Sequence, residues 1–348
     1  MQRDTRSPIH SDALVHIKNK YRTNDVSLIP GGTITTMFFH ATYRLIVTTI
    51  LTGTFVALGS NTQGSNTQGS NTQASTIKAL IIDGQNNHKN WPQTTQMMKH
   101  RLVESKLFNV IDNVTHAAQG EDSSFQPSFD NYDVVISNFG HRASPWNTQT
   151  KKSFESFVKE GGGLVVIHAA DNSFPEWKAY NRMIGLGGWG GRSEKNGPYV
   201  YFNDSGELIR DTSAGPGGAH GPKTAFQITI RDSKHPITRG MPSMWLHVKD
   251  ELYESLRGPA ENMNVLATAY STRTQHHEPM MLCIQYGKGR VFHTPMGHSN
   301  ESQECVGFIT TFLRGCEWAA SGHVTEGTPK DFPTADTTSS RSFRPATP

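Results

Sequence analysis

The chain has 348 residues, enough for one large domain or two ordinary ones with a sizeable core. Its 33 basic and 30 acidic residues leave a formal charge of +3 with no basic stripe, which argues against a nucleic-acid partner. Three cysteines, Cys283, Cys305 and Cys316, form no CxxC pair, so a cysteine zinc site is not expected, and the 16 histidines become the residues to follow.

Residues 1–36 are polar and without steady periodicity, and read as a non-native or disordered extension ahead of Met37. From Met37 the chain resembles a secretory signal, over 37–59. Arg44 supplies charge, Leu45 to Leu58 an apolar stretch, and Ala57, Leu58 and Gly59 a small-x-small cleavage site. Export to the periplasm or the outside follows from that reading. The alternative is a membrane anchor, although the stretch is shorter than the ~20 residues a span needs. Then "GSNTQ" repeats three times, within a flexible linker at 59–75.

The folded unit is expected over 76–322. "IKALIID" (77–83) reads as a strand, and 92–106 as a helix with Pro92 in its first turn. "NVI" (109–111) and "YDVVISN" (132–138) read as strands, 148–160 as a helix closed by Gly161, and "GLVVIH" as a buried strand. Strands alternating with helices argue for an α/β, doubly wound, mostly parallel sheet with helices on both faces. Residues 185–222 form a glycine-rich insertion in which Tyr199 to Phe202 suggest a hairpin arm. Sheet-like segments return at 225–230, 264–269, 280–286 and 289–294, and a last helix covers 302–320. Cys305 and Cys316 pair only in an oxidising compartment; the favoured reading makes them small buried hydrophobes. The tail, 323–348, is rich in Pro, Ser and Thr and reads as disordered.

Ligands of open parallel sheets bind beyond the carboxyl ends of the strands. Asn87, His88 and Trp91 follow the first strand, His141 the second buried one, His168 and Asp171 the third, and His298 the segment "GRVFHTPM". Four strand ends carrying histidine point to a shared site, where a single one would not. His220 in "GGAHGP" and the neighbours Asp250 and Glu251 in "HVKDELY" are further candidates. The carboxylates sit in an apolar setting that demands a partner. A His/Asp/Glu set without cysteine suits zinc, manganese or iron, although no HExxH-type spacing occurs. No nucleotide cofactor is expected.

"NNHKNW", "FVKEGGGLVVIHAADNSF", "HPITRGMP", "HVKDELY", "NVLATAYS" and "YGKGRVFHTPMGHS" together resemble the trehalose-utilisation (ThuA-like) family, over about 77–320. The resemblance implies a fold like that of class I glutamine amidotransferases, with His168 in the turn where those enzymes carry a nucleophilic cysteine, and so no thiol-based glutamine hydrolysis. It also implies carbohydrate metabolism, notably of 3-keto disaccharides, with proton abstraction followed by elimination or isomerisation. On that reading His88, His168, His220 and His298 are metal ligands, His168 doubling as a catalytic group. Asp250 or Glu251 completes the shell, and His141 carries a proton. Asn87, Trp91, Trp189, Arg192 and Tyr253 contact the sugar. His293 and "HHEP" (276–279), read as an exposed loop, stay outside the site. The competing function is a non-catalytic carbohydrate-binding module; an amidotransferase-like partner subunit ranks last.

Overall fold

A computed structural model describes residues 76–116, 124–141 and 143–344. The extension at 1–36, the expected signal at 37–59 and the pentapeptide linker lie outside the described residues. In chain order the first half gives β1 (Ile77–Asp83), α1 (Trp91–Ser105), β2 (Phe108–Thr115), β3 (Val134–Asn138), α2 (Thr148–Glu160), β4 (Gly163–Ile167) and α3 (Lys178–Ile184). The second half gives short strands β5 (Tyr199–Phe202), β6 (Leu208–Asp211) and β7 (Ala219–His220). Then come β8 (Thr224–Ile230), β9 (Met244–Asp250), β10 (Tyr253–Glu254), β11 (Met263–Ser271), β12 (His276–Tyr286), β13 (Gly289–Thr294), α4 (Asn300–Glu304) and α5 (Val306–Ser321).

Local chemistry sets the element ends. The Asn147 side chain caps α2 by accepting from the Thr150 N–H at 2.9 Å, and Gly161, at φ 133°, ends it. Pro92 lies in the first turn of α1, where its missing N–H costs nothing.

The sheet runs β2-β1-β3-β4-β13-β12-β11-β8-β9. The first five strands are parallel, and β12, β11, β8 and β9 continue the sheet antiparallel. Alternation along β1 shows how the layers form. Ala79 and Ile81 pack with Met98 and Leu102 of α1 and Phe308 and Phe312 of α5. Leu80 and Ile82 pack on the other face with Phe154 and Phe157 of α2 and Tyr180 and Met183 of α3. Each buried Leu, Ile, Met or Phe among them stabilises the fold by about 1.5–3 kcal/mol. Because β1, β3, β4 and β13 run the same way, their carboxyl ends share one rim.

Several expectations change. Asp250 ends β9 and Glu251 follows it directly. "HHEP" opens β12, so it is strand and not loop. The last helix is two, broken at Cys305, whose backbone bridges to Ser340. All three cysteines are buried and free. The expected hairpin arm exists as β5–β6.

The tail corrects the reading of disorder: residues 323–344 dock on the body. The buried Glu317 carboxylate accepts from the Thr325 N–H (2.7 Å) and the Glu326 N–H (3.1 Å). Leu246 of the edge strand β9 donates its N–H to the Thr334 oxygen at 2.8 Å, and Val306 to Ser339 at 2.9 Å. A Pro- and Ser-rich composition predicts missing hydrophobic burial, but here backbone groups of the body supply the partners.

Candidate metal centre

The turn after β4 places the first residue. His168 has φ 46°, the left-handed region, which costs an L-residue roughly 1–2 kcal/mol. The reversal carries its ring, buried in the structure, to the rim. Nδ1 lies 2.6 Å from the Pro295 carbonyl oxygen, just past β13. Nε2 lies 2.9 Å from the Tyr253 hydroxyl and 3.7 Å from Glu251 Oε2.

His88 arrives from the loop after β1. Its N–H donates to Asn86 Oδ1 at 2.9 Å, while Asn86 Nδ2 donates to the Phe139 carbonyl at 2.8 Å, tying that loop to the one after β3. Asn87 Nδ2 lies 2.9 Å from His88 Nε2. His298 arrives from the loop after β13, which Asp250 shapes. The Asp250 carboxylate accepts from the N–H groups of Gly297 (2.8 Å), His298 (3.2 Å) and Glu251 (2.8 Å), and it pairs with His247 Nε2 at 2.9 Å. Gly297 sits at φ 108°, with the Phe308 ring 2.9 Å from where a Cβ would stand, so no other residue fits there without movement.

Glu251 joins these loops. Its Oε2 is 2.9 Å from His298 Nδ1 and 3.9 Å from His220 Nε2. One nitrogen or oxygen each from His88, His168, Glu251 and His298 lies within 4.8 Å of all the others. The three imidazole ring centroids are 4.3 to 5.2 Å apart. Donors about 2.1 Å from a tetrahedral ion sit roughly 3.4 Å from one another, so this set needs only small closure around a cation. Three nitrogens and one carboxylate oxygen, with no sulfur, match a borderline divalent metal.

The charge states fit as well. Burial, reinforced by the His168 and His298 rings, pushes the His88 pKa down to about 3. Burial lowers that of His168 too, against the pull of Asp250. Both rings are neutral near pH 7, with lone pairs available. For Glu251 burial opposes ionisation, but the His298 hydrogen bond and the His168 ring outweigh it, and the pKa falls. Asp250 behaves alike, burial being overcome by His247 and the backbone N–H groups. Burial lifts the Tyr253 hydroxyl well above its ordinary value, so it stays protonated.

The structure thus brings together His88, His168, His298 and Glu251. His220 stands at the edge of the group on the exposed side. Asp250, wholly buried, holds the loop that bears His298. His141, exposed at the rim, donates its backbone N–H to Asn87 Oδ1 at 3.2 Å. Tyr253 is buried against His168 and so is no open platform, whereas Trp189, 4.7 Å from the Tyr253 ring and 5.9 Å from that of His220, lines the approach. Trp91 opens α1 with its ring partly exposed.

Arg192 is a correction. Its guanidinium is buried and spent on the carbonyls of Asn172, Gly188 and Ser173 and on Asn181 Oδ1, at 2.7 to 3.2 Å. It builds the glycine-rich insertion and cannot reach a sugar. His293 is structural, as expected, held between the Ile184 carbonyl and Asp171. Sequence reasoning missed Lys223, whose Nζ lies 3.3 Å from His298 Nε2. Its place three residues after His220, in the same loop, was the available signal. His247 and Pro295 gave none, since both act through contacts made only on folding.

Against known proteins, the family model described as ThuA, trehalose utilisation, matches residues 78–319. A solved ThuA-like protein from Parabacteroides merdae ATCC 43184 is 44% identical, with 76% of this chain and 98% of that one covered and a TM-score of 0.73. One from Bacteroides uniformis ATCC 8492 is 19% identical, covering 72% and 94%, with a TM-score of 0.48. Among curated proteins none matches.

Proposed function

The chain belongs to the trehalose-utilisation (ThuA) family, and from that premise we propose an exported, metal-assisted enzyme that acts on a glycoside or disaccharide oxidised at the third carbon of a glucose ring. The observation that carries this reading is the convergence of His88, His168, Glu251 and His298, with ligand atoms within 4.8 Å of one another. A carbohydrate-binding module needs hydrogen bonds and aromatic faces, and has little use for three imidazoles and a carboxylate at one point.

These four residues would hold the ion. When bound, it supplies positive charge for the oxygen that becomes negative as a proton leaves the carbon beside the ketone. The chain's own groups do the rest. His220 lies outside the four-atom set, with Nε2 3.9 Å from Glu251 and its side chain open to solvent. It takes the role of base, with His141 the second candidate. Proton removal at C2 leaves the electron pair in an enolate. Its collapse expels the oxygen on C1, which takes up a proton. Trp189 offers its ring to the sugar, and the Tyr253 ring packs against that of His168.

The test is elemental analysis of protein made without added metal and reloaded with zinc, manganese or iron(II), followed by assay on trehalose and 3-ketotrehalose. The expected result is about one metal per chain and conversion of the keto sugar alone. Sugar affinity without conversion in every metal form would favour the binding-module reading. Unchanged conversion after chelation would overturn the metal.

A further inference from the structure

Behind the β7–β10 ribbon lies a cavity of about 450 Å³. The segment 251–254 alternates between two environments. Glu251 and Tyr253 face the histidine cluster, while Leu252 and Glu254 line this cavity on the opposite side. Phe226 and Met244 extend the apolar wall begun by Leu252. Glu254 is only 3% exposed, and its Oε1 accepts from the Ser271 hydroxyl at 2.7 Å. Its Oε2 is buried with no hydrogen bond, as is Nδ1 of His277, another lining residue. Arg273 Nε lies 3.5 Å from that Oε2, and Tyr270, 43% exposed, completes the lining.

We propose that this cavity is a second saccharide-binding site, which takes a neutral mono- or disaccharide. Glu254 and Arg273 form an ion pair on the lining, and sugar hydroxyls bond to such a pair without adding charge. Arg273 already balances the charge of Glu254, so the pair carries no surplus to attract an anion. His277, Thr224 and Thr229 on the same lining add further hydrogen-bonding side chains. The Tyr270 ring and the Leu252 wall suit the C–H faces of a pyranose. The volume lies within the range of small-ligand sites, roughly 300–1,000 Å³. None of the four cluster residues lines the cavity, although Gly221 and Pro222 beside His220 do, and the assignment does not rest on the reading of that centre.

Calorimetric titration of the full chain with trehalose, cellobiose, glucose and, as an anionic control, inorganic phosphate tests the proposal. Three variants accompany it: Ala225→Trp, which fills the cavity from an exposed lining position; Glu254→Gln, which keeps shape but loses charge; and His168→Ala, which disables the cluster. The expected result is millimolar or tighter binding of at least one sugar, kept in His168→Ala. Loss of one charged hydrogen-bond partner should weaken it about tenfold in Glu254→Gln, and Ala225→Trp should abolish it. Binding of phosphate alone, sugar binding unchanged in Ala225→Trp, or sugar binding lost only in His168→Ala would each overturn the proposal. The last pattern would leave the metal-centre reading standing.

Discussion

Nδ1 of His168 lies 2.6 Å from the carbonyl oxygen of Pro295. A carbonyl can only accept, so the ring proton is on Nδ1, and the Nε2 lone pair, on the cluster side, accepts from the Tyr253 hydroxyl at 2.9 Å, a bond that a metal on that nitrogen would replace. A backbone group that fixes the tautomer in this way is the common support of a metal-binding histidine.

The first prediction follows from that bond. His168→Ala removes a ligand and should weaken metal retention by more than about 100-fold, beyond the effect of losing a supporting contact alone. Far-UV circular dichroism should stay that of the wild type, since the strands around the turn keep their pairing. Elemental analysis and a competition titration with a chelating dye read the outcome; wild-type retention would remove His168 from the site.

Acid should release the metal late. Protons compete for ligand imidazoles, but burial holds His88 neutral down to about 3, and His168 is shifted the same way. The Glu251 pKa is also lowered, so its carboxylate survives mild acid. Metal content at pH 5 should therefore equal that at pH 7.5. Release centred near pH 6.5, the ordinary histidine value, would show that the rings titrate freely.

Arg192 should behave as a structural residue. Arg192→Lys keeps the charge but cannot supply the fork that serves three carbonyls and Asn181. Leaving these buried acceptors unpaired should cost about 3–5 kcal/mol. Urea unfolding measures it, and a loss of sugar affinity at unchanged stability would contradict the assignment.

Glu278 gives a pH signature of its own. Burial raises its carboxyl from 4.5 to about 7. Between those values the folded chain keeps a proton that the unfolded chain has lost, so stability falls as pH rises through that window. Glu278→Gln removes the penalty. The variant should match the wild type near pH 4 and exceed it by roughly 3 kcal/mol above pH 7. Parallel unfolding curves at both pH values would show that the group ionises normally.

Deleting 323–348 should destabilise the body. The deletion leaves the buried Glu317 without the N–H groups of Thr325 and Glu326, and Leu246 without the Thr334 oxygen. A loss of about 2–4 kcal/mol, summed over a few such bonds, should appear as a drop of roughly 5–15 °C in Tm. An unchanged Tm would return the tail to the disordered class.

By itself the sequence determined the parallel half of the sheet and placed three of the four converging residues among its rim histidines, together with His141 and His220, which lie outside the four. An unbroken buried run such as "GLVVI" (163–167) can only sit inside a sheet covered on both faces, and a histidine right after such a run must lie at its carboxyl rim. His88, His168 and His298 were legible on that ground. Tertiary structure alone decided the fourth and the roles. Which of Asp250 and Glu251 enters the site depends on strand alternation at the end of β9 and on loops from distant parts of the chain that claim the other carboxylate. Arg192 and the tail misled for the same reason: hydrogen-bond partners are assigned by folding, and neither composition nor spacing records who they will be.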